Sequence, residues 1–379
     1  MNILMTGGGT AGHVNPAIAI AGTIKKKYPD AHIAFAASTE PSDKAKELLS
    51  RTQYSELYSI DICGMRSPAF HPGNIRTAFL MIKSRGQAKR LIRDFCPDLI
   101  IGTGGYASWP LLSVGADMGI PTMVHESNAL AGKALMQVRG KVDRILVNFP
   151  KAAQAFAQPE KTRVVGNPLL AGFTACDEQV ARRAVDPQGQ FRHVVLAVGG
   201  SRGAMMVNRY VFDMIKGMAT SHPDVLFVSA TGKLYYEEYR EKYRETGLDS
   251  LPNVRVSEYI YDMPVQMAAA DLVISRAGAM TVSELALMHK AAILIPSPNV
   301  ADDHQYKNAK ALGDAGAAEY ARESEFADGG LQQRVEALLA DGQKRAAMRA
   351  NIAKFARVDA NAVILEEVEQ LLAKKEKQT

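Results

Sequence analysis

The segment 275–308 holds the residue pattern with the clearest chemical content. Residues 271–275 form an apolar run that predicts a buried strand, and Gly278 then predicts a tight turn into a helix beginning near Thr281. Amide N–H groups at the amino end of a helix favour anions, so this turn predicts a phosphate or diphosphate site. Glu284 lies about one turn into the helix, where a carboxylate suits the hydroxyl groups of a ribose. A capping box formed by Thr281 and Glu284 explains the same residues equally well.

A second glycine-rich turn lies near the amino terminus. The strand-like run 2–6 leads into a G-x-G-x-x-G sequence at 7–12, which matches the dinucleotide fingerprint, in which glycines let the backbone approach a phosphate. The acid that binds ribose in that fingerprint is not clear here, because Glu40 comes late after the next apolar run, 32–37. A nucleotide-dependent oxidoreductase stays open as an alternative, although it gives the later glycine turns no role.

Polar residues also follow other predicted strands. A glycine turn at 199–204 follows the apolar run 193–198, and four hydrogen-bonding residues end the run that begins at 120: His125, Glu126, Ser127 and Asn128. Open α/β sheets bind ligands at the carboxyl ends of their strands, so these positions are candidates for a site. For His125 and Glu126, each taken singly, a structural role at the sheet edge is the favoured interpretation.

Parallel sheets are needed to position these turns. Apolar runs alternate with helical patterns along the 379 residues, which predicts an α/β protein with crossover helices and a length suited to two domains. We expect two Rossmann-like domains, 1–168 and 169–355, with parallel sheets facing a central cleft. The polar stretch 174–192 is interpreted as a linker. The pattern of 356–379 predicts a helix that returns to the first domain.

Composition excludes several classes of protein. The balance of 45 basic to 40 acidic residues gives a net charge of +5 without a dense basic tract, which argues against a nucleic-acid binder. Three scattered cysteines predict a reducing compartment without disulfides. The uncharged stretches 1–24 and 99–116 are interrupted by Gly, Thr, Asn or Pro, so neither predicts a membrane span, and no signal peptide is recognisable.

The segment 63–93 contains basic and apolar residues but no acid. Such a helical surface suits anionic lipid headgroups, and an ordinary amphipathic helix with a solvated basic face is the alternative. The residues predicted to form a membrane or acceptor surface are Arg66, Ile75, Phe79, Leu80, Lys83, Arg85, Lys89, Arg90 and Arg93.

Seven motifs in chain order resemble those of the MurG-type family, the N-acetylglucosaminyltransferases that convert lipid I to lipid II in peptidoglycan synthesis. The motifs are GGGTAGH at 7–13, GGY at 104–106, HESN at 125–128, VGNP at 165–168, GGSRGA at 199–204, RAGAMTVSE at 276–284 and HQYKN at 304–308. They span nearly the whole chain, so coincidence does not explain them.

The resemblance implies a GT-B fold and a hexosyltransferase of the EC 2.4.1 class. The implied reaction is an inverting transfer of N-acetylglucosamine from UDP-N-acetylglucosamine to the C4 hydroxyl of undecaprenyl-pyrophosphoryl-N-acetylmuramoyl-pentapeptide. It implies peripheral attachment at the cytoplasmic face of the bacterial cell membrane, and other cell-wall synthesis or division proteins as partners. A related enzyme acting on another lipid acceptor, and a UDP-sugar-binding regulator without activity, stay open as alternatives.

The same resemblance implies roles for individual residues. His13 is the candidate general base, with positioning or loop structure as its alternative, and Glu126 is a second candidate. The residues implied to bind UDP-N-acetylglucosamine are Thr10, Ala11, Gly12, Asn128, Ser201, Ile260, Ala279, Met280, Thr281, Val282, Ser283, Glu284 and Gln305. Because the chain has no Asp-x-Asp pair, we expect no metal or other cofactor to be required.

The chain departs from the family pattern in three places. Leu169 and Leu170 stand where some members carry an arginine, and Arg202 stands where glutamine is common, so Arg202 is a candidate to replace that charge near the phosphates. A glycine-and-glutamate signature after the second strand is not recognisable in 38–44.

Overall fold

A computed structural model describes residues 1–41, 43–54, 56–64, 73–200, 202–300 and 303–376. Two residues with predicted roles, Arg66 and Ser201, lie outside this part of the chain. The chain divides into two compact units, of which unit 1 comprises Met1–Ala171 with Arg357–Thr379 and unit 2 comprises Gly172–Ala356.

Unit 1 is built on a seven-stranded parallel sheet with the strand order β3-β2-β1-β4-β5-β6-β7. The strands are β1 (Asn2–Thr6), β2 (His32–Ser38), β3 (Leu57–Ile60), β4 (Leu99–Gly102), β5 (Thr122–Glu126), β6 (Arg144–Val147) and β7 (Thr162–Val164). The helices are α1 (Ala11–Lys27), α2 (Ala45–Leu49), α3 (Gly73–Phe95), α4 (Ser108–Asp117), α5 (Lys133–Val138), α6 (Pro150–Phe156) and, after unit 2, α16 (Ala360–Glu376), while α7 (Ala171–Ala175) crosses the division between the units. The chain reverses its direction across the sheet between β1 and β4, which is where open parallel sheets bind ligands.

The carboxyl-terminal helix α16 completes the core of unit 1. Ile364, Val368 and Leu371 recur at helical spacing and pack in the same buried cluster as Val14 and Ile24 of α1. This burial of one apolar face explains why the helix returns to the first domain, as the sequence predicted.

A buried charge also joins α16 to strands β6 and β7. Glu367 is buried and forms ion pairs with Arg144 of β6 and Arg163 of β7. A carboxylate in such surroundings is tolerated only because basic partners compensate for its lost hydration.

Unit 2 repeats the architecture with a six-stranded parallel sheet in the order β10-β9-β8-β11-β12-β13. Its strands are β8 (His193–Val198), β9 (Val225–Ala230), β10 (Val254–Ser257), β11 (Leu272–Ser275), β12 (Ala292–Leu294) and β13 (Glu319–Tyr320). Its helices are α8 (Glu178–Val185), α9 (Met205–Met218), α10 (Tyr236–Glu245), α11 (Met263–Ala269), α12 (Ala279–Leu287), α13 (His304–Asp314), α14 (Gly330–Ala340) and α15 (Gly342–Ile352). The reversal lies between β8 and β11, so each unit has one switch point beside a glycine turn.

The prediction of a linker at 174–192 is wrong, because α8 lies within it. Asp177 caps this helix by accepting a hydrogen bond from the Val180 amide at 2.8 Å. Arg182 forms an ion pair of 2.8 Å with Asp271 at the start of β11, so α8 is an integral part of unit 2.

None of the helices that the structure describes is both long enough and apolar enough to cross a bilayer.

Candidate active site residues

The loops after β1 and β4 are locked together at the switch point of unit 1. The Gly8 amide donates to the Gly104 carbonyl at 3.3 Å. Gly105 has a φ of +81°, and a Cβ there would lie 2.3 Å from the Gly8 oxygen. A side chain at this position would therefore force the loops apart, and the glycines serve the packing of the loops as well as any ligand.

His13 is held against the β4 loop in one tautomer. Its Nδ1 donates to the Thr103 carbonyl at 3.1 Å, and the Thr103 hydroxyl donates to the carbonyl of His13 at 2.6 Å. A carbonyl only accepts, so in the neutral ring Nδ1 carries the proton and Nε2 is the acceptor. Gly104, with a φ of +105°, leaves room for this ring, because a Cβ there would lie 2.5 Å from Nδ1. His13 thus has the form that a general base requires.

The amino end of α1 is open for an anion. Exposed Thr10 is the N-cap, and in the described part of unit 1 no side chain caps this 17-residue helix and no acid occupies its first turn. A Cβ added to Gly12 would meet nothing closer than the Thr10 hydroxyl at 3.6 Å. Thr10, Ala11 and Gly12 therefore present a helix terminus that suits a phosphate or a sugar hydroxyl.

Glu126 organises the loop after β5. One of its carboxylate oxygens accepts from the backbone amide (2.9 Å) and the side-chain amide (3.0 Å) of Asn128, and the other accepts from the Gly132 amide at 2.7 Å. Glu126 is buried, so these bonds occupy a carboxylate that solvent does not reach. This geometry argues against Glu126 as a base and favours a role in positioning Asn128.

His125 has a structural role. It is fully buried, and its Nε2 donates to the Gly166 carbonyl at 2.8 Å. Burial lowers the pKa of His125 to about 4, so the ring is neutral at physiological pH. This agrees with the interpretation that the sequence favoured for His125.

In unit 2, α12 begins at Ala279 rather than near Thr281. Gly278 is the N-cap, so Thr281 is the third residue of the helix and does not cap it. The capping-box explanation of Thr281 and Glu284 is therefore wrong. The first amides of the helix have no partner within it, which leaves its amino end suited to an anion.

The Glu284 carboxylate is half-buried and forms no hydrogen bond or ion pair with a residue that the structure describes. Burial alone raises the pKa of Glu284 to about 7. A partly desolvated carboxylate without donors is unfavourable in the free protein, and donors from a ligand would relieve that cost.

The turn before α12 has space for a ligand. Gly278 has an ordinary φ of −66°, and a Cβ there would meet only the Thr281 hydroxyl, at 4.0 Å. Neither backbone conformation nor internal packing requires glycine at this position. Ala279 and Val282 are buried, whereas the side chains of Met280, Thr281 and Ser283 are partly exposed.

Ile260 lies in the loop that follows β10, and Gln305 lies in the first turn of α13, which follows β12. Ile260 is buried, and its main-chain amide and carbonyl make no hydrogen bond to another described residue. The side-chain carbonyl of Gln305 accepts from the Ser297 amide at 2.9 Å, which leaves its NH₂ group as a donor. Asn308, one helical turn further, donates to the Ala277 carbonyl at 3.0 Å and joins α13 to the turn before α12.

The predicted membrane surface is only partly exposed. Ile75, Phe79 and Ile82 of α3 are exposed by 79%, 66% and 75%, at a spacing that places them on one face of the helix. Lys89, Arg90 and Arg93 are also exposed, nearer its carboxyl end. Ile82 was missing from the predicted surface, although its spacing from Phe79 was visible in the sequence.

Three residues predicted for this surface are engaged elsewhere or half-covered. Arg85 binds Ser113 at 2.8 Å and Asp117 at 3.0 Å, so its charge is shared with Asp117. Lys83 pairs with Asp61 at 2.7 Å, and Leu80 is half-buried. These pairs join α3 to its neighbours and leave less free charge than the sequence indicated.

Comparisons with known proteins match both units. The family model described as Glycosyltransferase family 28 N-terminal domain matches residues 3–147, and the one described as Glycosyltransferase family 28 C-terminal domain matches residues 194–363. A UDP-N-acetylglucosamine–N-acetylmuramyl-(pentapeptide) pyrophosphoryl-undecaprenol N-acetylglucosamine transferase from Christiangramia forsetii is 36% identical over 99% of both chains. The enzyme of that name from Alkaliphilus oremlandii is 33% identical over 99% of this chain and 100% of its own.

This chain belongs to the MurG family. The crystal structure of MurG from Acinetobacter baumannii superposes with a TM-score of 0.69 at 26% identity, covering 97% of this chain and 99% of the other. MnaA from S. aureus, solved with UDP, has a TM-score of 0.68 at 13% identity and shows a likeness of fold alone, over 98% of this chain and 97% of the other. The predicted family, the GT-B fold class and the glycosyltransferase activity are thereby confirmed.

Among the described residues, no group of three or more His, Cys, Asp and Glu side chains is placed to hold a metal ion. That the reaction requires no metal stays a prediction.

Proposed function

We propose that this MurG-family chain transfers N-acetylglucosamine from UDP-N-acetylglucosamine to the C4 hydroxyl of undecaprenyl-pyrophosphoryl-N-acetylmuramoyl-pentapeptide, which converts lipid I to lipid II. The observation that carries the donor assignment is the Glu284 carboxylate, which lacks a described partner and lies in the second turn of a helix that no described side chain caps. One nucleotide diphosphate matches both features, since it offers ribose hydroxyls to Glu284 and phosphate oxygens to the helix amides.

The remaining donor contacts follow from the free groups of unit 2. The Ile260 amide and carbonyl suit the complementary edge of a uracil, and the Gln305 NH₂ group suits a sugar hydroxyl. In unit 1, we assign Asn128 and the turn formed by Thr10, Ala11 and Gly12 to the sugar and diphosphate side. Glu126 supports this assignment by holding the Asn128 side chain at 3.0 Å.

His13 is the proposed base. The acceptor hydroxyl oxygen attacks C1 of the sugar while the bond between C1 and the β-phosphate oxygen breaks. The electron pair of that bond stays on the phosphate oxygen, so UDP departs with added negative charge, and the hydroxyl proton passes to Nε2 of His13. The Nδ1 bond to Thr103 supports this role because it leaves Nε2 as the acceptor. Helix amides near the β-phosphate stabilise the developing charge.

The test is transfer of a radiolabel. Purified protein is incubated with labelled UDP-N-acetylglucosamine and a lipid I analogue, and the label is measured in the lipid fraction alongside free UDP. We expect one labelled sugar in lipid for each UDP released. A diacylglycerol acceptor serves as the matched control and should receive none. Transfer to diacylglycerol instead of lipid I would overturn the proposed acceptor, and donor binding without UDP release would overturn the activity.

We also propose that α3 docks unit 1 on an anionic membrane, where a polyprenyl acceptor resides. Ile75, Phe79 and Ile82 form an exposed apolar face, and Lys89 and Arg93 continue the same helical stripe with positive charge. An interfacial helix has this composition, with apolar side chains in the headgroup boundary and basic ones on anionic lipids.

Vesicle co-sedimentation tests the docking. Binding should require phosphatidylglycerol and should be lost when Lys89, Arg90 and Arg93 are all changed to Glu, because each basic residue near the surface contributes about 1 kcal/mol. As a matched control, the same charge change is made at three exposed bases of α10, Arg240, Lys242 and Arg244. Equal binding to neutral vesicles, or equal loss in both triple variants, would contradict docking through α3.

A further inference from the structure

The first turn of α13, which carries Gln305, is held by a side chain that follows β13. The Arg322 guanidinium lies over the Tyr306 ring, 4.0 Å from its centroid, and donates to the Asp303 carboxylate at 3.1 Å. Residues 303 and 306 are three apart, so they lie on one face of the helix and a single side chain can contact both. Arg322 therefore holds the chain on both sides of Gln305.

Asp303 depends on this contact. It is the N-cap of α13, a position where an aspartate usually accepts a hydrogen bond from a helix amide, but here its side chain caps no amide. Its φ of +50° lies in the left-handed region, which costs free energy in a residue that has a side chain. Among the described residues, its carboxylate is paired with Arg322 alone. The ion pair therefore helps to hold an unfavourable backbone conformation at the start of the helix.

The other end of α13 packs on β13 itself. Tyr320 lies against Gly313, where a Cβ would be 2.2 Å from the Tyr320 ring. The rings of Tyr306 and Tyr320 meet edge to face, with their centroids 5.8 Å apart. Tyr320 and Arg322 thus both contact Tyr306. The strand sets the position of the helix, and Arg322 fixes its amino end.

The first turn of α13 and the rest of the helix are fixed by separate contacts. The side-chain carbonyl of Gln305 accepts from the Ser297 amide at 2.9 Å, so the direction of its NH₂ group depends on the position of this turn. Asn308 donates to the Ala277 carbonyl at 3.0 Å, a contact that does not involve Arg322. Loss of Arg322 should therefore disturb Gln305 and leave the turn before α12 in place.

We propose that Arg322 is a positioning residue for the donor sugar, because it holds the first turn of α13 where the Gln305 NH₂ group meets a sugar hydroxyl. This inference rests on the proposed function, in which Gln305 binds the sugar. Arg322 acts through Gln305 and makes no contact with the ligand itself. It should therefore affect the recognition of the hexosamine and leave the recognition of uridine diphosphate unchanged.

Isothermal titration calorimetry with UDP and with UDP-N-acetylglucosamine separates the two parts of the donor. We expect Arg322→Gln to bind UDP like the wild type and UDP-N-acetylglucosamine about three- to tenfold more weakly, which is the usual contribution of one hydrogen bond. Gln305→Ala should lose a similar factor. Because Arg322 acts through Gln305, the double variant should bind the sugar nucleotide no more weakly than Gln305→Ala alone.

Arg334→Gln is the matched control. Arg334 likewise lies over an aromatic ring, 5.3 Å from the Phe326 centroid, and pairs with Glu319 at 3.6 Å. It has no hydrogen bond, ion pair or ring contact with the described residues of α13, so this variant should bind both ligands like the wild type. The assignment would be overturned by an equal loss in Arg334→Gln, by an equal loss of UDP and UDP-N-acetylglucosamine in Arg322→Gln, or by additive losses in the double variant.

The two proposals fail in different ways. If the wild type transfers the sugar to lipid I while Arg322→Gln binds UDP-N-acetylglucosamine as tightly as the wild type, the role of Arg322 is wrong and the proposed function stands. If the wild type transfers no sugar to lipid I, the proposed function is wrong, and the calorimetric comparison still decides whether Arg322 acts on sugar binding.

Discussion

Donor binding should depend on pH through Glu284. Burial raises the pKa of this carboxyl from an ordinary 4.5 to about 7, so much of the free protein is protonated there at neutral pH. Ribose hydroxyls that donate to the carboxylate favour its ionised form and bring the pKa down in the complex. Binding then releases a proton, and the affinity rises as the pH increases through 7.

The expected size follows from the fraction of free protein that is ionised. With a pKa of about 7, about one molecule in ten carries the carboxylate at pH 6 and about nine in ten at pH 8. A ligand that needs the ionised form has an apparent affinity reduced by that fraction. UDP-N-acetylglucosamine should therefore bind about tenfold more tightly at pH 8 than at pH 6, with nearly one proton released per ligand at pH 6.

Calorimetry in two buffers of different ionisation enthalpy measures both the dissociation constant and the released proton. The sugar nucleotide is the proper ligand, because its diphosphate is a diester that does not titrate in this range. Glu284→Gln is the matched control. It should bind more weakly at pH 8 and show no dependence on pH. A flat profile in the wild type, or the wild-type slope in Glu284→Gln, would refute the reasoning.

Further predictions concern the base, the glycine turns and α16. His13→Ala should lower kcat by about 100- to 10,000-fold while calorimetry shows donor binding retained; near-normal turnover with saturating substrates would contradict the base role. Gly278→Ala should keep the wild-type Tm, because a Cβ has space there in the free protein, but it should bind UDP weakly, because the Cβ would take space that the ligand needs. Gly203→Ala should instead lower the Tm, because its Cβ would lie 2.1 Å from a carbonyl oxygen. Glu367→Ala should reduce the free energy of unfolding by about 3 kcal/mol in urea, because its two arginine partners lose a buried counter-charge; an unchanged urea midpoint would contradict this.

The long apolar runs made the fold predictable, whereas short elements with few apolar residues were missed. β4 is buried at every residue and wholly apolar, and β1 is buried after Asn2 and has an apolar centre of Ile3, Leu4 and Met5. The edge strand β3 is only partly buried over four residues, and β13 has two residues. In α8 only Ala181 and Val185 are buried, so its sequence resembles a polar linker. Such elements exist because of tertiary packing, which a local pattern does not contain.

The candidate site was predictable in its residue types but not in its pairings. The family resemblance made His13 the candidate base, while its tautomer depends on the carbonyl of Thr103, 90 residues away. The sequence grouped Arg85 with the membrane surface but could not show its ion pair with Asp117, which lies 32 residues further along the chain. The start of α12 was predicted near Thr281 instead of Ala279. Gly278 has the backbone angles of an ordinary helix N-cap, and the sequence alone does not show which angles a glycine adopts.

The path of the chain through unit 1 has a consequence for biosynthesis. Unit 2 is continuous in sequence, so all of its residues emerge from the ribosome in one uninterrupted stretch. The core of unit 1 cannot be completed until the end of translation, because it includes Ile364, Val368 and Leu371, which are translated near the end of the message. Nascent unit 1 therefore exposes an apolar groove along α1 throughout the synthesis of unit 2, and a premature stop codon before residue 360 would damage the first unit to be made rather than the last.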